Sequence, residues 1–546
     1  MKIDYAKISY HFLSGIELGF FDILFILALI LSFFSRAYIF NFASLVQYPY
    51  QFPDSWSWLA DGLHWAGYNT QISYRPPVFP LFISLFYRAG YEDALVISMQ
   101  IFALLAAIGV YLLASKLYNK EVAFYSGILF LINGALMGWS PFILAEFLAL
   151  DFMIFSFYFF WLWTLSGANN SKYLYLFGLL SALCFLTQYV GIIILPVVFT
   201  YLILRERALV TAKMDQLFLT LIIFFLVSST WFAYRLIEFG NPFFSTVSHI
   251  QLMQLRPDWL MSILFYSTNT LLFAPISFLL ICLAIYNKSG HNKTISSELM
   301  FNMIWIIFLS AFFIFIYYWN DIRFIIYWIV PILILSAVEI AHLRNALHGI
   351  FDKKIIAYSI FIMIILLSNL VVTNYQDKDF MMSTIATPFW WPPEWLLQPE
   401  QSSLKILQSN LGFELHSSYL LLLQNKEKYR NEKYKFNVGG LSNLDPLILP
   451  ELGEYISLNS ANNDIVAIKP GNIDWYIFWN QMAVLTKRQT ISIDSPNNKN
   501  AKFIIVRKSN QEPISEFESY SCIKNLNNIY LLYLRINDSE ISATNH

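Results

Sequence analysis

Long runs of apolar residues are the feature that most limits what this chain can fold into. A helix that crosses a bilayer needs about 20 mostly apolar residues. Eleven stretches are candidates for such spans: 18–41, 94–115, 120–138, 147–166, 172–186, 189–204, 214–237, 259–286, 299–318, 324–342 and 354–373. Charged residues form only 13% of the chain, whereas soluble domains carry roughly 25%. The pattern predicts an α-helical polytopic membrane protein with about eleven transmembrane helices.

The distribution of basic residues predicts the orientation of these helices. The stretch 76–90 is roughly 22 Å long as a helix, too short for a hydrocarbon core about 30 Å thick, so we predict that it lies at the interface. The lysine- and arginine-rich loops then fall on one side, together with Lys2 and Lys7. By the positive-inside rule that side is the cytoplasm. We therefore expect a cytoplasmic N-terminus, a membrane domain over 1–373 and a first external loop over 42–93.

The composition of the chain changes after Val371. Polar residues dominate 374–546, with short β-like runs such as "DIVAIKP" and "KFIIVRK", which predicts one soluble α/β domain on the extracytoplasmic side. The three cysteines, Cys184, Cys282 and Cys522, lie far apart, so we expect neither a disulfide framework nor a thiolate metal site. A net charge of −1 gives no field that recruits nucleic acid.

Arginines and acidic residues collect at the predicted external ends of the helices. The arginines are Arg36, Arg75, Arg88, Arg235, Arg256 and Arg323, and the acids are Asp54, Asp61, Glu92, Asp93, Glu146, Asp258 and Asp321. Arginine binds phosphate with a flat two-pronged geometry, which indicates an anionic ligand. For any single arginine, snorkelling is the alternative. Asp151, deeper in the same apolar run as Glu146, is either a site residue or a hydrogen-bonded packing residue.

Six segments, in order, resemble motifs of the GT-C superfamily of integral-membrane glycosyltransferases. The resemblance is closest to bacterial relatives of protein O-mannosyltransferases and aminoarabinose transferases, and it covers about residues 20–345. The segments are "FPDSWSW", "YRPPVFPLFISLFYRAG", "LAEFLALDFMIFSFYFF", "GLLSALCFLTQYVGIIILP", "WFAYRLIEFGNPFFST" and "NDIRFIIYWIVPILIL". The chain departs from the family pattern at Ser55, Phe147 and Gln188, where the second acid of an Asp-Glu pair, a proline and an arginine are common.

The resemblance implies an enzyme of the bacterial plasma (inner) membrane that moves a sugar from a polyprenyl-phosphate carrier to a lipid, glycan or protein acceptor. It places Asp54 as the base that takes the proton of the acceptor hydroxyl, with inversion at the anomeric carbon. Glu146 then orients the acceptor or the sugar, or shares a divalent metal ion with Asp54. Two carboxylates without histidine predict a metal only weakly.

Binding roles follow from the same resemblance. The predicted groups that hold the carrier phosphate are Arg75, Arg235, Arg323 and Tyr74, and the candidate substrate contacts are Asp61, Asp151, Trp56 and Asp321. The aromatic residues of 50–68, including Trp56, Trp58, Trp65 and Tyr68, predict an interfacial helix with rings at headgroup level, or rings that stack on sugar. Membrane lipids are therefore expected partners.

Two other classes of function remain open from the sequence. A transporter or flippase of lipid-linked sugars also needs an arginine-lined path, but such proteins usually show internal repeats and mid-membrane charges. A membrane scaffold with a partner-binding tail is the third class, and it explains neither Asp54 nor the all-arginine outer face.

Overall fold

A computed structural model describes the helical part and most of a small C-terminal sheet. The described residues are 10–12, 16–40, 53–70, 75–92, 94–133, 136, 139–140, 142–243, isolated positions between 259 and 280, 296–316, 322–350, 448–461, 463–469, 482–492, 500–507, 520–526 and 530–535. The predicted boundary at 373, the span 354–373 and most of the span 259–286 lie outside these residues, as do Tyr74 and Asp321.

Helices dominate the described residues up to position 350. They are α1 (Phe20–Phe40), α2 (Pro53–Ala66), α3 (Val78–Ala89), α4 (Ala94–Leu117), α5 (Lys120–Ile132), α6 (Glu146–Leu165), α7 (Ser171–Thr187), α8 (Ile194–Arg205), α9 (Arg207–Ala212), α10 (Met214–Phe239), α11 (Ser297–Ala311) and α12 (Ile325–Ile350). A short hairpin, β1 (Tyr10–Phe12) with β2 (Ile16–Leu18), precedes them. A π-turn, Phe312–Ile316, extends α11.

Five of these helices are long and apolar enough to cross a membrane. They are Ala94–Leu117, Glu146–Leu165, Met214–Phe239, Ser297–Ile316 and Ile325–Asn345. Shorter apolar helices cover Phe20–Phe34, Val78–Ala89, Ser171–Thr187 and Tyr189–Arg205. The chain is therefore mostly helical with membrane-spanning segments, as the apolar runs predict, while the count of eleven spans stays a prediction.

The two short candidate spans 172–186 and 189–204 are joined by a bend at Gln188. Gln188 has an extended backbone that ends α7, and a 3₁₀ turn, Tyr189–Ile193, leads into α8. This turn folds back so closely that a Cβ on Gly191 would lie 2.4 Å from the Phe185 nitrogen. Only glycine fits there, which explains how two short helices join so tightly.

A charged cluster ties α1 to two later helices. Asp22, in the first turn of α1, accepts hydrogen bonds from the Tyr111 hydroxyl of α4 and the Lys120 ammonium of α5. The ring of Phe25 stacks on that of Tyr111 with centroids 4.3 Å apart. These contacts fix one end of α1, whereas Leu31 and Phe34 farther along remain more than 60% exposed, as expected of surface that faces lipid.

The described part of the tail is a mixed sheet with one long helix. The helix is α13 (Ile448–Asn459), and the strands are β3 (Ile465–Lys469), β4 (Gln489–Ser492), β5 (Ala501–Arg507), β6 (Tyr520–Leu526) and β7 (Tyr530–Arg535). Their order is β4-β3-β5-β7-β6, with parallel pairing among β4, β3 and β5 and antiparallel pairing of β5 with β7 and of β7 with β6. Both β-like runs of the tail sequence are thus strands.

Contacts divide the chain into two units. The first comprises Met1–Phe42, Ile97–Pro141 and Ala145–Arg430, and the second Ala43–Val96, Phe142–Leu144 and Asn431–His546. The described part of the predicted first external loop thus belongs to the same unit as the described part of the tail. Lys487 makes one contact within this unit, since its ammonium lies 2.9 Å from a Glu92 carboxylate oxygen and 5.7 Å from the Tyr68 ring centroid.

Candidate active site

The acid proposed as the base forms an ion pair at the start of the paired helices α2 and α3. Asp54 is the second residue of α2, and its Oδ1 accepts a hydrogen bond of 2.7 Å from Nη2 of Arg75, just before α3. The Arg75 guanidinium also lies 4.4 Å above the Trp58 ring. Both charged side chains are largely shielded, at 25% and 17% exposure. The sequence placed both residues in one loop, and the structure joins them directly.

The pair owes its geometry to a structured linker between the helices. Pro76 and Pro77 follow Arg75, and a proline disfavours the helical conformation in the residue before it, so Arg75 and Pro76 stay outside the helix, while Pro77 is the N-cap of α3 with φ −83° and ψ −22°. Gly90, in the left-handed conformation with φ 70°, ends α3. The α3 helix has only 12 residues, which agrees with a segment too short to span.

Two aromatic residues of this segment are buried in the structure. Trp56 and Trp58, predicted to lie at headgroup level or to stack on sugar, are 7% and 1% exposed. The Trp58 ring instead contacts the Phe79 ring edge to face, with centroids 5.4 Å apart. The Trp58 ring is thus part of the contact between α2 and α3, and both predicted roles of these aromatic residues stay predictions. Asp61, two turns after Asp54, is also buried.

A second carboxylate–arginine pair occupies the start of α6. Glu146 is the first residue of α6, where the helix dipole favours a negative charge. Nε of Arg323 lies 3.6 Å from its Oε1, and the two side chains are only 9% and 4% exposed. Arg323 stands in the 3₁₀ turn Ile322–Phe324 that leads into α12. The arginine predicted to hold phosphate thus also balances the charge of Glu146.

Arg235 is held by aromatic rings at the end of α10. Its guanidinium lies 5.0 Å from the Trp231 ring centroid and 4.8 Å from that of Phe239, and the side chain is fully buried. The Trp231 indole donates a hydrogen bond of 3.3 Å to the Tyr189 hydroxyl of the α7–α8 turn. These rings hold a permanent positive charge in place by cation–π contacts, and the predicted binding of phosphate by Arg235 stays a prediction.

Asp151 is buried in α6, five residues after Glu146. Among the described residues, neither of its carboxyl oxygens has a hydrogen-bond partner. The structure thus gives no support to the hydrogen-bonded packing role that the sequence left open, and Asp151 stays a candidate substrate contact.

The described residues do not suit a metal ion at these carboxylates. They contain no group of three or more histidine, cysteine, aspartate or glutamate side chains arranged to hold one. Asp54 and Glu146 each face a guanidinium, and such a cation competes with a metal for the same oxygens. The convergence of Asp54 and Arg75 with Glu146, Arg235 and Arg323 stays a prediction, because the two groups belong to different contact units.

A known family matches part of the chain by sequence. The family model described as dolichyl-phosphate-mannose-protein mannosyltransferase matches residues 74–234. Among curated proteins, none matches the chain significantly by sequence.

Solved structures give a likeness over nearly the whole chain. ArnT from Cupriavidus metallidurans, in the apo state and bound to undecaprenyl phosphate, matches with TM-scores of 0.60 and 0.59 at 13% identity. These matches cover 94% of this chain and 97% and 98% of the ArnT chains. A third match is the archaeal oligosaccharyltransferase AglB from Archaeoglobus fulgidus, in complex with an inhibitory peptide and a dolichol-phosphate. Its TM-score is 0.52 at 13% identity, and the match covers 89% of this chain and 69% of the AglB chain. At this identity the likeness is one of fold.

Proposed function

We propose that this chain, which has the fold of the GT-C glycosyltransferases, transfers a sugar from a polyprenyl-phosphate carrier to an acceptor at the outer face of the plasma membrane. The observation that carries the proposal is the Asp54–Arg75 pair, a carboxylate beside a guanidinium 2.7 Å away. ArnT with undecaprenyl phosphate and AglB with a dolichol-phosphate support a polyprenyl phosphate as the donor's carrier. The sugar, a hexose or a pentose, and the acceptor remain open.

The reaction we propose is a direct displacement at the anomeric carbon. The acceptor oxygen forms a bond to that carbon while the bond from carbon to the phosphate oxygen breaks, and the electron pair leaves with the carrier phosphate. The acceptor proton passes to the Asp54 carboxylate on the opposite face of the sugar, which gives inversion. A positioned base of this kind contributes about 10²–10⁴-fold to the rate.

Arginines would stabilise the phosphate as it leaves. Negative charge grows on the phosphate oxygens during bond breaking, so fixed cations bind the transition state more strongly than the ground state. We assign Arg235 to this role, whereas Arg75, 2.7 Å from Asp54, would lie on the acceptor side and orient that carboxylate. Arg323 assists through its pair with Glu146, which would orient the acceptor or the sugar. Tyr74, Asp61, Asp151, Trp56 and Asp321 stay secondary candidates for contacts with the substrates.

Replacement of the base tests the proposal. Membranes from a deletion strain that expresses wild-type protein, Asp54→Asn or the control Asp215→Asn are compared by mass spectrometry of lipid, glycan and protein fractions. Asp215 is an exposed acid in the first turn of α10, so it matches the change in charge away from the site. We expect Asp54→Asn to lose a pentose- or hexose-sized mass from one fraction and the control to keep it.

A binding measurement separates loss of chemistry from loss of structure. Undecaprenyl phosphate should raise the thermal unfolding temperature of purified wild-type and Asp54→Asn protein alike, because the proposed phosphate contacts are arginines. Full sugar transfer by Asp54→Asn would show that this residue is not the base.

A further inference from the structure

The helices α2 and α3 lie side by side in a constant register. Arg75 contacts Asp54 across the pair, Phe79 contacts Trp58, and Ile83 faces Gly62. In each contact the residue in or just before α3 lies 21 positions after its partner in α2. Successive contacts are four residues apart in both chain segments, about one helical turn, so the two helices run parallel and present matched layers. The Asp54–Arg75 pair is the first of these layers.

Gly62 sets the closest approach of the two helices. A Cβ on Gly62 would lie 2.3 Å from Cγ2 and 2.7 Å from Cβ of Ile83. Ile83 is fully buried, and a β-branched side chain in a helix has essentially one χ1 rotamer. Because the contact at 2.7 Å involves Cβ itself, no rotamer change of Ile83 relieves it. Any side chain at position 62 must therefore move one helix away from the other.

We propose that Gly62 is a positioning residue for the Asp54–Arg75 pair. Relief of the contact at 2.3 Å requires a displacement of roughly 1 Å to reach ordinary van der Waals distance. A similar displacement at the first layer, about 12 Å along the helices, takes the 2.7 Å bond between Asp54 and Arg75 beyond hydrogen-bond range. The consequence for sugar transfer rests on the proposed function, whereas the geometric claim does not.

Chemical crosslinking tests the geometry without any substrate. Thiols are placed by Asp54→Cys and Arg75→Cys, and the protein is treated with bifunctional thiosulfonates of graded spacer length. In all these variants the native cysteines are replaced by Cys184→Ala, Cys282→Ala and Cys522→Ala. Adding Gly62→Ala should reduce the yield with the shortest effective spacer several-fold and shift the optimum to a longer one.

Compensating changes in the partner helix make the test specific. Gly62→Ala with Ile83→Gly removes both clashing atoms and leaves the Pro80 carbonyl oxygen, 3.5 Å away, as the nearest neighbour. This double change should restore the original spacer preference. Gly62→Ala with Ile83→Ala removes only the contact at 2.3 Å and should restore it in part. Ile83→Gly alone controls for the cavity that the lost side chain leaves.

A second glycine controls for general destabilisation. A Cβ on Gly178 of α7 would lie 2.8 Å from Cγ2 and 2.9 Å from the carbonyl oxygen of Thr220 in α10, so Gly178→Ala disturbs a different helix pair by a comparable clash. It should lower the unfolding temperature and leave the crosslinking pattern unchanged. Identical patterns for Gly62→Ala and the unmodified protein would overturn the proposal.

Sugar transfer provides the second readout. With Asp54 and Arg75 intact, Gly62→Ala should reduce the transfer rate by up to about 100-fold, the effect of a misplacement near 1 Å. The double variant, Gly62→Ala with Ile83→Gly, should regain most of the lost transfer rate. If crosslinking behaves as expected but no sugar is transferred by any variant, the proposed function fails and the positioning role stands. If transfer occurs and Gly62→Ala leaves it unchanged, the positioning role fails.

Discussion

Neutralising the buried Glu146–Arg323 pair should reveal a strong coupling between its members. At a separation of 3.6 Å the gross attraction is about 5 kcal/mol for an effective dielectric constant near 20. Loss of one partner leaves the other charge buried and alone, which typically costs about 3–5 kcal/mol. Glu146→Gln and Arg323→Gln should each destabilise the protein by this amount. The double variant should lose about 2–3 kcal/mol less stability than the sum of the losses in the two single variants.

The assay is equilibrium unfolding in mixed micelles, with the four members of the cycle measured under one condition. The same cycle on Asp464 and Lys502 is the control, because that pair is 3.0 Å apart but 26% and 40% exposed. Surface pairs of that kind couple by less than about 1 kcal/mol. If the losses from Glu146→Gln and Arg323→Gln simply add, the two side chains do not interact as the geometry requires.

Three further changes address other contacts. Lys487→Gln should weaken the contact with Glu92 by less than about 1 kcal/mol, in a salt-sensitive way, and the exchange Lys487→Glu with Glu92→Lys should recover the loss in unfolding measurements. Arg235→Lys keeps the charge but loses the stacking on two rings, so donor KM should rise about tenfold, and more in Arg235→Gln; a wild-type KM in Arg235→Lys would argue against stacking. Burial opposes ionisation of Asp464, but hydrogen bonds from the Ala461 amide and Lys502 hold its pKa below the usual value. Its contribution to stability should be complete above the unfolded pKa of about 3.9, be lost as the pH falls through the folded pKa, and be absent in Asp464→Asn.

The apolar runs predicted the positions of most helices well. The predicted spans 94–115, 147–166 and 214–237 correspond to α4, α6 and α10, with ends that differ by at most two residues. A membrane helix satisfies its own backbone hydrogen bonds, so its position depends on local composition and little on distant partners. The GT-C fold, predicted from ordered motifs, is confirmed by the likeness to ArnT and AglB.

Contacts between segments were harder to predict. The pairing of Lys487 with Glu92 joins residues 395 positions apart, and no local pattern indicates it. The burial of Trp58 was missed because a tryptophan at an interface and one covered by a neighbouring helix have the same sequence. The local sequence around Gly62 does not indicate that this glycine contacts another helix. Its spacing of 21 from Ile83, repeated by Asp54 with Arg75, is visible only once a parallel pair of helices is known.

The tie between α1 and its later partners has a consequence for biosynthesis. Tyr111 and Lys120 follow Asp22 by 89 and 98 residues. Ribosomes add about 5–20 residues per second, so roughly 5–20 s pass between synthesis of the carboxylate and of the groups that bind it. During that time the Asp22 charge has to stay in contact with water, which keeps the start of the first helix at the membrane surface until the fifth helix emerges.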